Sequence, residues 1–122
     1  MDARATARWH ACGRIAVGSA LTVAPGLAGR GWIGSHADGL PTQVFTRALG
    51  ARDLGMGLAT VRALGQGFGA RPWLQAGVLA DAVDMAGTLA ARRELGAARV
   101  VAAATVAGGS ALFGVWLARS LD

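Results

Sequence analysis

The stretch VVAAATVAGGSALFGVWLA, residues 100–118, runs for nineteen positions without a charged side chain, and Arg99 and Arg119 bracket it. At 1.5 Å per residue, a helix of about 20 residues spans a hydrocarbon core of ~30 Å. Arginines at its two ends suit such a span, because their long stems run along apolar surface while the guanidinium stays at the interface. An apolar helix can also be the buried core of a soluble domain. An uncharged run of this length instead predicts a membrane-crossing helix.

Three weaker segments share its length: residues 9–28, 44–64 and 73–91. They are separated by GRGWIGSHADGLPT (29–42), GQGFGARP (65–72) and RRELGAAR (92–99), which hold most of the Gly, Pro and polar punctuation. Pro72 is placed to open the third helix. The expected architecture is therefore all-α: one integral membrane domain over 1–122, a four-helix transmembrane bundle, antiparallel, with short loops. The N-terminal segment has the basic start and apolar centre of a signal peptide, but Arg14 interrupts it and later segments resemble it, so a first membrane helix is expected. Pro25 and the glycines of the second segment weaken a soluble helix. In a bilayer, small residues let helix backbones approach. No alternating run long enough for a strand occurs.

Composition agrees. Charged residues make up 16% of the chain against about 25% in typical soluble domains. There is no Lys, and Glu94 is the one Glu. The net charge of +5 comes from arginines dispersed singly, with only Arg92 and Arg93 adjacent, so no basic stripe forms and nucleic acid is not expected as a partner. Arg4, Arg8, Arg71 and Arg119 fall on one side of the predicted bundle and Arg30, Arg92, Arg93 and Arg99 on the other, which leaves the orientation open.

Helical spacing of 100° per residue assigns faces. On the second helix Leu54, Leu58 and Val61 share one side, while Arg52, Asp53, Met56 and Thr60 spread over the opposite arc. Gly50 and Gly57, at i and i+7, form a flank for close packing. The third helix carries a stripe of Trp73, Gly77, Asp81, Asp84 and Thr88, opposite Leu79, Val83, Ala86 and Ala90. The same spacing predicts an inner stripe of Val101, Thr105, Gly108, Leu112 and Trp116 on the fourth helix, and of Arg14, Gly18, Leu21 and Pro25 on the first. Arg52, Asp53, Asp81 and Asp84 lie mid-segment, where each lipid-facing charge costs ~2.5–3.5 kcal/mol even on insertion scales. They are therefore expected to face one another in a midplane cluster in which Arg52, joined by Arg14, contacts Asp53, Asp81 and Asp84.

Such a cluster supports several chemistries. Arg–Asp bridges can hold the helices in register, as in a scaffold or partner subunit. Intramembrane ionisable groups also mark ligand or ion pathways. Two arginines do not balance three aspartates, so one carboxyl is available to hold a proton. Asp81, Asp84, Arg52 and Asp53 then offer a general base, a general acid and a clamp for hydrolysis, isomerisation or cyclisation of an apolar substrate. The logic is similar to the Asp–Arg–Asp sites of limonene-type epoxide hydrolases, on an unrelated fold. Arg14, Met56, Thr60, Trp73, Gly77, Thr88 and Trp116 are the candidate ligand-binding residues around it. Proton conduction would need a polar path, for which Thr22, Thr60, Thr88 and Thr105 are sparse. Cys12 stands alone, and His10 and His36 are far apart in sequence, so neither a metal nor a cofactor is expected. GQGFG has the glycines of a phosphate loop without its strand or Lys and reads as a turn. Trp9, Trp32, Trp73 and Trp116 fall near segment ends, where interfacial aromatics belong.

APGLAGRGWIG, RALGARDLGMGLATVRAL and RPWLQAGVLADAVDMAGTLAARREL together resemble small four-helix membrane proteins common in actinobacteria, families of unknown function loosely similar to DoxX-like proteins. The resemblance spans roughly residues 13–120 and rests on Gly50, Arg52, Asp53, Gly57, Asp81 and Asp84. It implies the four-helix fold and a multi-pass location in a bacterial cytoplasmic membrane, and it implies no activity. The expected partners are the lipid bilayer, an apolar small molecule and a second copy of the chain. The expected role is a structural or apolar-ligand-binding membrane subunit, with a membrane-embedded Asp/Arg/Asp enzyme as the alternative.

Overall fold

The computed structural model describes residues 2–67 and 69–121 and contains helices and no strand among them. Four long helices dominate: α1 (Ala3–Val23), α3 (Leu40–Gln66), α4 (Arg71–Ala90) and α6 (Ala97–Ser120). Between α1 and α3 lie a shorter helix, α2 (Pro25–Ile33), and a 3-10 turn over Gly34–Asp38; α5 (Arg92–Leu95) is a single turn before α6.

Local chemistry sets these limits. The Asp2 carboxylate caps α1 by accepting from the Arg4 amide at 3.1 Å. All three prolines fall in a first helical turn, Pro25 in α2, Pro41 in α3 and Pro72 in α4, where a missing N–H costs nothing. Gly67, at φ +73, takes the left-handed conformation that ends α3.

The first helix departs from the expected 9–28. It stops at Val23, and the chain turns by 113° into α2. Pro25 supplies no N–H and pushes Ala24 out of the helical region, to φ −128° and ψ 63°. The polar stretch taken for a loop is therefore a helical elbow, with Pro25, Gly29, Gly34 and Ala37 buried.

The long helices form two close pairs, α1 with α3 and α4 with α6. Both pairs are antiparallel, because residue numbers run in opposite senses along each contact. A Cβ on Gly50 would lie 2.7 Å from the Gly18 carbonyl oxygen and the Thr22 amide; one on Gly57 would lie 2.8 Å from the Ala11 carbonyl. These glycines bring the α1 and α3 backbones together as their spacing predicts. In the second pair, a Cβ on Gly114 would lie 2.8 Å from Val78. The pairs meet at one end in an apolar cluster built from Ala7, Ala63, Leu64, Ala70, Leu74, Leu117 and Ala118.

Elsewhere the distribution of side chains is reversed from that of a water-soluble bundle. Asp53 and Asp81 are each 7% exposed, whereas Leu79 is 67% and Leu112 76% exposed. The inner stripes expected for α1 and α4 are buried at Gly18, Leu21, Pro25, Gly77, Asp81 and Thr88, and Leu79 and Val83 face outward. On α6 the expected stripe is wrong: Val101, Thr105, Leu112 and Trp116 are exposed, and Gly114, Leu117 and Ala118 are buried. A helix of Ala, Val and Gly has small residues on every side, and Gly114 selects the face that meets α4.

Among the described residues, α6 is the one helix that is by itself long and apolar enough to cross a membrane, and only 11% of that window is buried. The bent pair of α1 with the elbow passes the same criterion together. The α1–α3 contact yields a test. Gly50→Val should force the two backbones apart, at ~1–3 kcal/mol or more for overpacking. Gly55→Ala, on the open side of the same helix with nothing within 4 Å, should leave stability unchanged or raise it by ~0.5–1 kcal/mol. Thermal unfolding of both variants in detergent, followed by circular dichroism, checks the contrast.

Candidate functional site

The buried charges form one continuous chain in the order Asp81, Arg14, Asp53, Arg52, Asp84. Arg14 of α1 reaches between α3 and α4. Its Nη2 donates to Asp81 Oδ2 at 2.6 Å and its Nη1 to Asp53 Oδ1 at 3.2 Å. Arg52 donates to the same Asp53 Oδ1 from Nε at 3.1 Å and from Nη2 at 3.0 Å. It also holds Asp84 through two bonds, Nη1 to Oδ1 at 3.1 Å and Nη2 to Oδ2 at 2.7 Å. Arg14 Nη2 also lies 3.4 Å from Ser110 Oγ, so all four long helices contribute.

The pairing differs in one respect from a cluster centred on Arg52. Arg14 is the more enclosed guanidinium, with 8% of its side chain exposed against 32% for Arg52, and Arg14 is the one that binds Asp81. Gly77 makes room for it, because a Cβ there would lie 3.1 Å from Arg14 Nη2. Gly77 therefore acts by seating a charge. Thr88 accepts from the Trp32 indole N–H at 2.9 Å and donates to the Asp84 carbonyl at 2.8 Å, which ties the elbow to α4 beside the network.

A cavity of about 520 Å³ opens beside this chain, within the range of ~300–1,000 Å³ typical of small-molecule sites. Asp81, Arg14, Asp53 and Asp84 form its charged wall, and Ser110 and His10 border them. The remaining wall is apolar: Val17 and Leu21 from α1, Leu49 from α3, and Ala102, Ala103, Val106 and Ala107 from α6. Ala28, Gly31 and Trp32 of the elbow close one end. Val17 and Val106 are both exposed as well as lining the cavity, so it opens sideways between α1 and α6.

The structure thus brings together Arg14, Arg52, Asp53, Asp81 and Asp84, with Gly77 and Thr88 touching the group. Four other expected residues do not join it. Met56 and Thr60 lie farther along α3, where Thr60 donates to the Met56 carbonyl at 2.8 Å, and neither lines the cavity. Trp73 and Trp116 are half-exposed on the outer surface, Trp116 stacked on Phe113. Beside them the interior positions are taken by Leu74 on α4 and by Gly114 and Leu117 on α6.

Among the polar and aromatic residues of the cavity, three lie outside the expected site: His10, Trp32 and Ser110. His10 sits four residues before Arg14, so the helical repeat places it on the same face. Its ring meets Phe113 edge-on, with centroids 5.5 Å apart. Trp32 reaches the site only through the bend at Pro25, which helical spacing does not encode. Ser110 follows once the buried face of α6 is known.

Chemically, the wall joins three carboxylates to two guanidiniums. The hydrogen bonds to Asp53 and Asp81 converge on Asp53 Oδ1 and Asp81 Oδ2. Asp53 Oδ2 and Asp81 Oδ1 receive none among the described residues. These oxygens are the free acceptors of the wall. No group of three or more His, Cys, Asp or Glu arranged to hold a metal occurs among the described residues. No protein-family model, curated protein or solved structure matches the chain.

Breaking a buried ion pair by removing one partner costs ~3–5 kcal/mol, because the other charge is left unpaired. Arg14→Met should therefore destabilise strongly, stranding Asp81 and leaving Asp53 to Arg52 alone, with Arg14→Lys intermediate because it keeps the charge without the planar fork. Arg30→Met breaks only the exposed pair with Asp38 and should cause no measurable loss. Chemical unfolding of the three variants in detergent measures the ranking.

Proposed function

We propose that the protein is a multi-pass membrane protein whose four long helices cross the bilayer, and whose Arg–Asp network forms the wall of a lateral pocket for a small apolar molecule. The observation that carries this reading is the cavity itself, apolar on most of its surface, charged along one wall and open between α1 and α6. A molecule dissolved in the lipid can enter by that route without crossing water. Supporting membrane residence is the reversed distribution of side chains: Val, Leu, Phe and Trp project outward while Asp, Thr, Gly and Ala fill the interior. Placing that exterior in water would expose an apolar surface far larger than soluble monomers tolerate. Within lipid, the network is the polar contact that joins helices lacking a hydrophobic reason to associate. The resemblance to small actinobacterial four-helix proteins agrees with a bacterial cytoplasmic membrane.

A second reading is favoured by one specific arrangement, the Arg14 guanidinium held between Asp53 and Asp81 with both carboxylates on the cavity wall. That is the layout of an acid, a base and an orienting cation around a substrate. Under this reading the protein is a membrane-embedded hydrolase, isomerase or cyclase, with Asp81 or Asp53 accepting or supplying the proton. Asp81→Asn keeps the side-chain shape and most hydrogen bonding but removes the acid–base function. It would abolish turnover while leaving ligand retention in place.

Two measurements test the proposal. Alkaline carbonate extraction should leave the chain in the membrane pellet, and recovery as a folded, detergent-free soluble monomer contradicts membrane residence. Native mass spectrometry of the detergent-purified protein should show a retained apolar small molecule. Val106→Trp, which fills the mouth of the cavity from a position outside the charge network, should lose that molecule without loss of fold.

A further inference from the structure

We infer that the pocket selects an apolar molecule carrying a protonated amine, an inference that rests on the ligand-pocket reading above. The argument starts from charge balance. Asp53, Asp81 and Asp84 carry three negative charges and Arg14 and Arg52 two positive ones, so the fully ionised network has a net charge of −1. The side facing the cavity is more negative still. All three aspartates line it, whereas of the two arginines only Arg14 does.

The positions of the donors sharpen this. Arg14 directs its terminal nitrogens at Asp53 Oδ1 and Asp81 Oδ2, with Ser110 Oγ alongside, so three of its N–H donors are engaged within the wall. The carboxylates leave acceptors for a ligand. Asp81 Oδ1 and Asp53 Oδ2 receive no hydrogen bond among the described residues, and the Asp81 side chain is only 10% exposed. A carboxylate oxygen left unpaired at the cavity surface is satisfied by an N–H donor, and most fully by a charged one. A carboxylate or phosphate ligand would instead meet three negative charges against a single Arg14 guanidinium already shared by two of them.

The apolar walls then fix the remainder of the molecule. Val17, Leu21, Val106 and the α6 alanines accept a hydrocarbon body, and the lateral mouth lets part of it extend into the lipid. The ligand is therefore an ammonium with N–H bonds on a hydrophobic body. Two sources share that chemistry: a free lipophilic amine, and the ethanolamine headgroup of a phospholipid whose chains remain in the bilayer.

The test uses three rigid probes that differ only in the polar group: 1-aminoadamantane, 1-adamantanol and 1-adamantanecarboxylate. Each is titrated against the protein in phosphatidylglycerol nanodiscs at neutral pH, with intrinsic tryptophan fluorescence and native mass spectrometry as readouts. The ammonium should bind at least tenfold tighter than the alcohol, with the carboxylate weakest. Asp81→Asn should reduce the ammonium preference below threefold while leaving alcohol binding unchanged, and Val106→Trp should abolish both. Equal binding of ammonium and alcohol to the wild type overturns the cation inference but leaves the apolar pocket standing. Tightest binding of the carboxylate overturns it as well, by assigning recognition to Arg14. If none of the three probes binds, the pocket reading fails and the inference with it. The wild-type series decides the matter alone if Asp81→Asn does not fold. Adding phosphatidylethanolamine to the nanodiscs then separates the sources: competition with 1-aminoadamantane identifies the headgroup, and its absence identifies a free amine.

Discussion

Two guanidiniums shared among three carboxylates hold this fold at its centre. Most of the rest of the interior is built from Ala, Gly and Thr, which supply close contact but little apolar area, and among the described residues the one sizeable apolar cluster lies at one end. At the level of Asp53 and Asp81 the helices are joined by charge. Removing Arg14 strands Asp81 and removing Arg52 strands Asp84, while Asp53 links the two arginines, so the five residues act as a unit. Arg14 is the hub. It is the residue through which α1 reaches α4, and a glycine on α4 is shaped to receive it.

The same division of labour creates the cavity. Glycines draw α1 against α3 until backbone meets backbone, and on α6 Gly114 and Gly108 make room for Val78 and Met85 of α4. No glycine pair draws α1 against α6. That seam is held at the network and at the apolar end, and it stays open where Val17 faces Val106. The elbow following Pro25 closes one end of the gap and anchors there through Trp32 and Thr88. A pocket with a charged wall and a lateral mouth thus follows from where the small residues are and where they are not.

Much of this was legible in the chain. Arg52, Asp53, Asp81 and Asp84 could be brought together from helical spacing and depth alone, because a mid-membrane charge has no inexpensive position except beside its opposite. Gly50 and Gly57 likewise announced a close contact through their spacing. The failures share a cause. On α6, and for Trp73 and Trp116, spacing defined several equivalent faces, and the choice among them belonged to Leu74, Gly114, Leu117 and their neighbours on the facing helices. The bend at Pro25 escaped the spacing because a proline in an apolar segment is compatible with both a kink and a new helix. His10 shares the face of Arg14 and was legible from the repeat, whereas Trp32 and Ser110 followed from those two choices, so the whole cavity could not be seen before the helices were docked.

The central claim is that charge is enclosed at mid-bilayer while the large apolar side chains meet lipid. Nitroxide labels at Leu58, Leu79 and Leu112, placed one at a time in a Cys12→Ser background reconstituted in bilayers, test it directly through collision with oxygen and with a water-soluble nickel chelate. All three positions should show high oxygen and low nickel accessibility, as lipid-facing sites at this depth must. High nickel accessibility at these positions would mean that the leucines face water, and the arrangement described for the network, the cavity and its lateral mouth would be contradicted.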